Sequence, residues 1–150
     1  MQYFITQAQV GARPKVQLPS PKILTHLGES GLRKMVDAHY ELLKLSNIRG
    51  LFPPTDVGFE AAKKHSADFF IQICGGPRYF DESRGAPRLV ARHAPFKITP
   101  EARRIWLESY IKILSGLDMS DELKQSFWTY IDIFSIWMMN THGGQPTFKL

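Results

Sequence analysis

The side chains that could carry out chemistry are few in this sequence and lie far apart along it. There are five histidines and one cysteine, Cys74, in 150 residues. A zinc site needs several Cys, His or acidic ligands at characteristic spacings, and these histidines are too dispersed to provide them. The residues suggest no Ser-His-Asp arrangement, and the glycines at 75–76, followed by Pro77, are typical of a turn and not of a phosphate-binding loop.

What remains is an aromatic-rich interior with a few polar groups. Phe, Tyr and Trp together make up 12% of the chain. A haem group needs such surroundings, because it requires a wide apolar slot, one axial ligand and a small number of hydrogen-bond donors. Aromatic stripes are also common in the hydrophobic core of a protein that binds no cofactor. The residues by themselves therefore leave two interpretations open: a haem protein, and a cofactor-free helical interaction module that binds an acidic partner.

The elements that must position these side chains are predicted to be helices, and the last two are the clearest. Thr99 is a good N-terminal cap, Pro100 suits the first helical position, and Gly116 marks the end of that helix. Ser120 caps the next helix, which fades towards Asn140. Their apolar stripes are Ile105, Trp106, Tyr110, Ile113, Leu114 and Leu117, and Leu123, Phe127, Tyr130, Ile131, Phe134, Trp137 and Met138.

Upstream, apolar residues recur at helical spacing in two further long segments. One helix is expected over about 30–45, and another begins with Asp56 as its candidate cap and ends before Gly75. Shorter helical pieces fit 21–27 and 87–93. Five or six helices with almost no strand predict an all-α fold.

Length and composition bound the domain organisation. A chain of 150 residues with 43% hydrophobic residues fits one globular domain. Residues 1–20 carry several turn-forming Gly and Pro residues and are predicted to be an irregular arm that tolerates removal. The domain itself is predicted to occupy 21–150.

Charge and hydropathy limit the partners. The first 20 residues contain no secretory apolar run, and the most apolar segment, 127–139, is shorter than a membrane span. We therefore expect a cytoplasmic protein with no membrane partner. The net charge of +5 permits an acidic partner, but the basic residues are scattered, which disfavours nucleic acid.

Several blocks of the sequence, in order and spacing, resemble the truncated haemoglobins of group II. The resemblance covers about residues 22–140 and leaves out the arm and the last ten residues. The blocks that carry it are Gly28–Arg33, Val36–Tyr40, Leu51-Phe52-Pro53, Phe70–Tyr79 with its Cys-Gly-Gly-Pro, Gly85–Leu89, Arg92-His93-Ala94-Pro95-Phe96 and Trp106.

This resemblance implies a shortened globin whose helices pack two over two around haem. By it, His93 matches the proximal iron ligand, and Tyr40 and Trp106 match the distal donors that face the bound ligand. Phe52 matches the aromatic residue that packs on the haem face, and Arg92 sits where the family offers a propionate partner. Three further candidate haem contacts follow from the same blocks: Phe69, Phe96 and Tyr79.

The sequence also departs from the family pattern around the distal side. His39 stands where the family usually has Phe or a similar residue. It is a candidate further distal group, although a packing or surface role is more common for such a histidine. The segment from Tyr40 to Phe52 is one residue shorter than in the family, and the segment from Phe52 to Phe69 is two or three residues longer. Counting back from the two glycines at 75–76, Ala62 and Ser66 are the distal-helix residues expected to face the ligand.

The expected cofactor is haem b, because the sequence has no Cys-x-x-Cys-His site for covalent attachment. A pentacoordinate iron would bind dioxygen, carbon monoxide, nitric oxide or peroxide. Two donors aimed at partly anionic dioxygen would slow its release. That behaviour suits oxygen storage or sensing, or redox detoxification of the peroxidase-like or nitric-oxide-dioxygenase-like kind, for which an external reductant is needed. The chain is expected to be a monomer or a homodimer.

Overall fold

The structure is a computed structural model that describes residues 1–143. The described residues form six α-helices and no strand. The helices are α1 Lys22–Lys44, α2 Asp56–Ile73, α3 Tyr79–Arg84, α4 Leu89–His93, α5 Pro100–Ser115 and α6 Asp121–Met138, with a short 3-10 turn at Arg49–Leu51 between α1 and α2. The predicted domain end at residue 150 lies outside the described residues.

The two helices predicted over 21–27 and 30–45 are one element with a kink. Gly28 interrupts α1 with φ of 70° and ψ of 171°, a left-handed conformation that glycine adopts without a steric penalty. The longer part of α1 then turns its apolar face to the core. The buried residues of that part are Leu32, Met35, Val36, His39, Tyr40 and Leu43.

Side-chain caps begin three of the long helices. The Thr99 hydroxyl accepts a hydrogen bond from the Ala102 backbone, which confirms that predicted start. The predicted Ser120 cap is confirmed in the same way. The cap of α2 is Thr55, not Asp56, because the Thr55 hydroxyl accepts from the Gly58 backbone N–H.

The long helices enclose the core. α1 contacts α2, α5 and α6, α5 contacts α6, and α4 also packs on α6. Among residues 1–143, no helix combines the length and the apolar character that a bilayer crossing requires. The largest fully buried side chains are Tyr110, Phe59, Phe70, Phe127, Ile23, Leu32, Leu43, Ile71, Leu107, Leu114, Ile131 and Ile136.

The connection between α2 and α5 contains a helix that the sequence did not predict. α3 has no side-chain cap, and it is held instead by Gln72 of α2. The Gln72 amide donates to the Asp81 carboxylate at 2.9 Å and accepts from the Asp81 backbone N–H at 3.0 Å. α4 follows after Arg88, whose φ of 44° is unusual for a residue with a side chain.

The arm, residues 1–20, forms no helix but is bonded to α5 and α6. Thr6 donates from its backbone N–H and its hydroxyl to the Asp132 carboxylate, at 3.0 and 2.6 Å. Arg103 donates to the Thr6 carbonyl at 2.8 Å and to Asp132 at 2.7 Å. The indole N–H groups of Trp128 and Trp137 donate to the carbonyls of Phe4 and Pro14. These contacts argue against the expectation that the arm can be removed without consequence.

We expect Thr6→Val to lower the free energy of unfolding by about 1 to 2 kcal/mol. The substitution keeps the side-chain volume and removes the hydrogen bond that the exposed Thr6 hydroxyl donates to the buried Asp132 carboxylate. Deleting residues 1–18 should cost more, because it removes every arm contact except those of Pro19 and Ser20. Urea unfolding followed by far-ultraviolet circular dichroism measures both.

Thr25→Val is the matched control for this prediction. Thr25 is exposed on α1 and makes only a 3.4 Å contact with the Pro21 carbonyl. If Thr6→Val and Thr25→Val have equal unfolding free energies, the Thr6 hydroxyl contributes nothing to stability through Asp132.

Candidate haem site

A cavity of about 340 Å³ opens between α2, α4, α5 and α6. Its walls are mostly apolar and aromatic. Of the residues predicted from the sequence, it brings together Tyr40, Phe52, Ala62, Ser66, Phe69, Arg92, His93, Phe96 and Trp106.

His93 ends α4 with one ring nitrogen occupied. Its Nδ1 lies 2.7 Å from the Leu89 carbonyl oxygen. A carbonyl can only accept, so Nδ1 carries the hydrogen and Nε2 keeps its lone pair. Burial lowers the pKa of His93, although the Leu89 hydrogen bond opposes that shift, so the ring is neutral at pH 7. A neutral imidazole with a free, oriented Nε2 is what an iron ligand requires.

Arg92 holds the loop that precedes α4. Its guanidinium donates to the carbonyls of Pro87 at 2.6 Å, Arg84 at 2.7 Å and Ala86 at 3.1 Å, and it lies over the Phe80 ring at 5.3 Å. These bonds fix the backbone next to His93. Arg92 lines the cavity as well, and its contact with a propionate stays a prediction.

Tyr40 presents a phenol to the cavity from α1. Burial raises the pKa of Tyr40 to about 12, while a hydrogen bond from the Ser66 hydroxyl works in the opposite direction. The phenol therefore keeps its proton at physiological pH. Its ring packs edge-on against Phe52 and Phe59, with centroids 5.5 and 5.4 Å away. Because the phenol keeps its proton, the Tyr40 O–H can donate a hydrogen bond.

Trp106 of α5 also lines the cavity. The indole N–H groups of the other two tryptophans, Trp128 and Trp137, donate to carbonyl groups of the arm. Trp106 is partly buried, and within residues 1–143 its indole N–H makes no hydrogen bond to the protein. This donor is therefore available to a ligand in the cavity.

His39 lies outside the cavity, so its predicted place among the distal residues is wrong. It is stacked on Tyr110 with ring centroids 3.5 Å apart, and its Nε2 is 3.0 Å from the Trp106 carbonyl oxygen. Successive residues of a helix point about 100° apart. When Tyr40 faces the cavity, His39 therefore faces the core behind it.

Tyr79 is likewise not in the cavity wall. It lies on α3 under the Arg33 guanidinium, which is 5.7 Å from the ring centroid. The next residue, Phe80, lines the cavity in its place. Tyr79 and Phe80 are consecutive on a short helix, so their side chains point in different directions and only Phe80 reaches the cavity.

The cavity wall also contains residues that the sequence reasoning did not select. Phe134 and Met138 lie four residues apart on the apolar stripe of α6, and that spacing was the available signal. His65 precedes Ser66 on α2, and its Nδ1 is buried without a partner in the described part of the chain. Burial and the nearby Arg84 and Lys64 cations lower the pKa of His65. The full set of additional lining residues is Ile48, Leu51, Pro53, His65, Phe70, Phe80, Arg84, Leu89, Ile98, Ala102, Arg103, Phe134, Ser135 and Met138.

These residues fit a haem group. The walls are apolar and aromatic, the neutral imidazole of His93 offers an oriented lone pair, and the Tyr40 phenol and the Trp106 indole line the same space from other helices. Cys74, the one thiol, is buried away from this wall, and burial raises its pKa to about 12, so it is suited to packing and not to iron ligation.

Comparison with known proteins identifies the class. The chain matches the bacterial-like globin family over residues 26–140, and it belongs to that family. It is 30% identical over 114 residues to the group 2 truncated hemoglobin YjbI of Bacillus subtilis. The matched residues cover 76% of this chain and 85% of that protein.

Solved structures share the fold. Phosphate-bound Hell's gate globin IV is 38% identical, with a TM-score of 0.83 over 93% of this chain and 88% of that chain. The truncated oxygen-avid haemoglobin from Bacillus subtilis is 26% identical, with a TM-score of 0.73 over 81% of this chain and 99% of that chain. The predicted resemblance to group II truncated haemoglobins and the predicted truncated globin fold are confirmed.

Proposed function

We propose that this globin binds haem b without covalent attachment, through Nε2 of His93, and holds dioxygen and related diatomic ligands with Tyr40 and Trp106. The observation that carries the proposal is that one apolar cavity is lined by two complementary polar groups. It contains an imidazole whose Nδ1 is already bonded to Leu89, together with an indole N–H that has no acceptor in the described structure. Nε2 of His93 offers a lone pair to iron, and the Trp106 N–H offers a hydrogen bond to the ligand of the iron.

When bound, haem supplies an iron centre that coordinates a diatomic ligand and exchanges electrons. The protein's part is to orient and to discriminate. Tyr40 and Trp106 donate hydrogen bonds to a ligand that carries negative charge, and the aromatic walls keep competing water away. Bound dioxygen draws more electron density from iron than carbon monoxide does and carries more negative charge. These donors therefore favour dioxygen and slow its release. The description of the Bacillus subtilis structure as oxygen-avid supports this direction.

A pentacoordinate iron is part of the proposal. The distal-helix residues Ala62 and Ser66 line the cavity and cannot ligate iron. His65 on the same helix also lines it, but its Nδ1 lacks the orienting hydrogen bond that His93 has in the described part of the chain, and we assign the axial position to His93 alone. Slow ligand release is poor for delivery of oxygen and suits storage, sensing, or redox turnover of oxygen, peroxide or nitric oxide. Turnover requires electrons from an external reductant. We place this chemistry in the cytoplasm, where the single buried thiol Cys74 needs no oxidising environment.

The experiment that tests the proposal is the optical spectrum of the purified protein. We expect a Soret band and about one haem per chain, and we expect acid–butanone to extract all of the pigment, because no thioether bond forms. A protein that takes up no haem when haem is supplied contradicts the proposal. Pigment that stays with the polypeptide after extraction contradicts haem b.

A further inference from the structure

A second polar cluster lies behind the cavity wall, between α1 and α5. It consists of His39 and Tyr110, which are 1% and 0% exposed. The two rings stack with centroids 3.5 Å apart and an interplanar angle of 19°. Within residues 1–143, His39 Nδ1 and the Tyr110 hydroxyl oxygen are both buried and have no hydrogen-bond partner. Buried polar atoms are nearly always hydrogen-bonded, so two unpaired atoms on adjacent rings require an explanation.

The tautomer of His39 follows from its one hydrogen bond. Nε2 lies 3.0 Å from the Trp106 carbonyl oxygen. Because a carbonyl oxygen can only accept, Nε2 carries the hydrogen. Burial lowers the pKa of His39 to about 3, against a smaller opposing effect of the Trp106 carbonyl, so the ring is neutral. Nδ1 is therefore an acceptor without a donor, and the Tyr110 O–H is a donor without an acceptor.

The two unpaired atoms complement each other in chemistry, because one is an acceptor and the other a donor, on two rings stacked 3.5 Å apart. One water molecule between them would accept from the Tyr110 O–H and donate to His39 Nδ1. Such a bridge would satisfy both atoms and hold His39 in the tautomer that bonds to the Trp106 carbonyl.

Both rings also touch the indole of Trp106. His39 meets it edge-on, with centroids 5.2 Å apart and an angle of 88°, and Tyr110 does so at 5.1 Å and 74°. We propose that His39, bridged to Tyr110 by one buried water, is a positioning residue that fixes the backbone and the indole of Trp106 at the cavity wall. The inference rests on the proposed function only where it concerns the ligand that Trp106 meets.

The first test follows the Trp106 indole in the carbon-monoxide-bound ferrous holoprotein labelled with ¹⁵N-tryptophan, a diamagnetic form. In His39→Phe, which keeps an aromatic ring for the stack and loses the Nε2 donor, we expect the Trp106 N–H resonance to shift. The resonances of Trp128 and Trp137 serve as internal controls and should stay in place, since their N–H groups bond to the arm. Dioxygen release should become roughly two- to tenfold faster, the effect of one net hydrogen bond.

The conservative variant His39→Gln separates a hydrogen bond from mere packing. The glutamine amide nitrogen reaches the position of Nε2 and can donate to the same carbonyl. We expect His39→Gln to restore the Trp106 resonance and to bring dioxygen release within about twofold of the wild type. If His39→Gln behaves like His39→Phe, or if His39→Phe leaves both readouts unchanged, the positioning role is wrong.

The bridging water is tested in the wild type and in Tyr110→Phe, with ¹⁵N-histidine labelling. The wild type should show His39 protonated on Nε2, with a hydrogen-bonded Nδ1, and Tyr110→Phe should weaken the hydrogen bond at Nδ1. An Nδ1–H tautomer in the wild type overturns the inference even if no His39 variant folds. An unchanged Nδ1 signal in Tyr110→Phe overturns the bridge.

These readouts fail separately from the proposed function. If Trp106→Phe leaves dioxygen release unchanged, the proposed distal role of Trp106 is wrong. The tautomer of His39 and the response of the Trp106 resonance still decide whether His39 positions that indole.

Discussion

Replacing His93 by glycine should abolish stable haem binding, and imidazole added to the solution should restore it. The substitution removes the one oriented lone pair in the cavity wall and leaves a space that free imidazole fills. The Leu89 carbonyl, now without its donor, can bond the added ring as it bonds Nδ1 of His93. Haem retention on gel filtration, with and without imidazole, measures the effect.

His65→Ala is the matched control for this experiment. His65 is the other histidine in the cavity wall, and its Nδ1 has no partner among residues 1–143. We expect His65→Ala to keep both the haem and its axial spectroscopic signature. Loss of haem in His65→Ala together with retention in His93→Gly would make His65 the iron ligand.

Removing either distal donor should accelerate dioxygen release by roughly ten- to hundredfold. A hydrogen bond to a charged acceptor contributes about 1.5–3 kcal/mol, and each 1.4 kcal/mol is a factor of ten. Tyr40→Phe and Trp106→Phe each remove one donor. The double variant should give less than the product of the single effects, because the two donors share one acceptor. Stopped-flow displacement of dioxygen from the ferrous protein measures the rates, and carbon monoxide release should change less.

Two conservative variants outside the cavity control for general damage. Tyr79→Phe removes a hydroxyl on α3, and Trp137→Phe removes an indole that bonds to Pro14. Neither should alter dioxygen release. If Trp106→Phe has no effect either, its indole is core packing alone. If Tyr40→Phe has no effect, Ser66 becomes the next distal candidate, because its hydroxyl lines the same cavity.

The helices that could be predicted are those with a local signal in the sequence. Thr99 and Ser120 have hydroxyls that cap the helix following them, and Gly116 ends the helix before it. α3 escaped prediction because it is six residues long, has no side-chain cap and depends on Gln72, which lies on another helix. The kink at Gly28 was visible only as a gap between two predicted helices.

The candidate site was predictable where whole blocks of sequence matched a family, as around His93 and Trp106. It was less predictable where one residue decides the outcome. His39 and Tyr79 each lie next to a residue that faces the cavity, and a helix turns side chains by about 100° per residue. Only packing shows which neighbour is inside. The bonds between the arm and α6 could not be read from the sequence, because they join residues more than 120 positions apart.

Those distant bonds constrain the order in which the protein assembles during synthesis. The arm leaves the ribosome before any helix, yet its partners are on α5 and α6, with Thr6 and Asp132 separated by 126 positions. Contacts of such high sequence separation form slowly and only after both ends exist. We expect the helices to gather first, with Arg103 and Asp132 already paired between α5 and α6. The arm would then be among the last of the described segments to reach its native position.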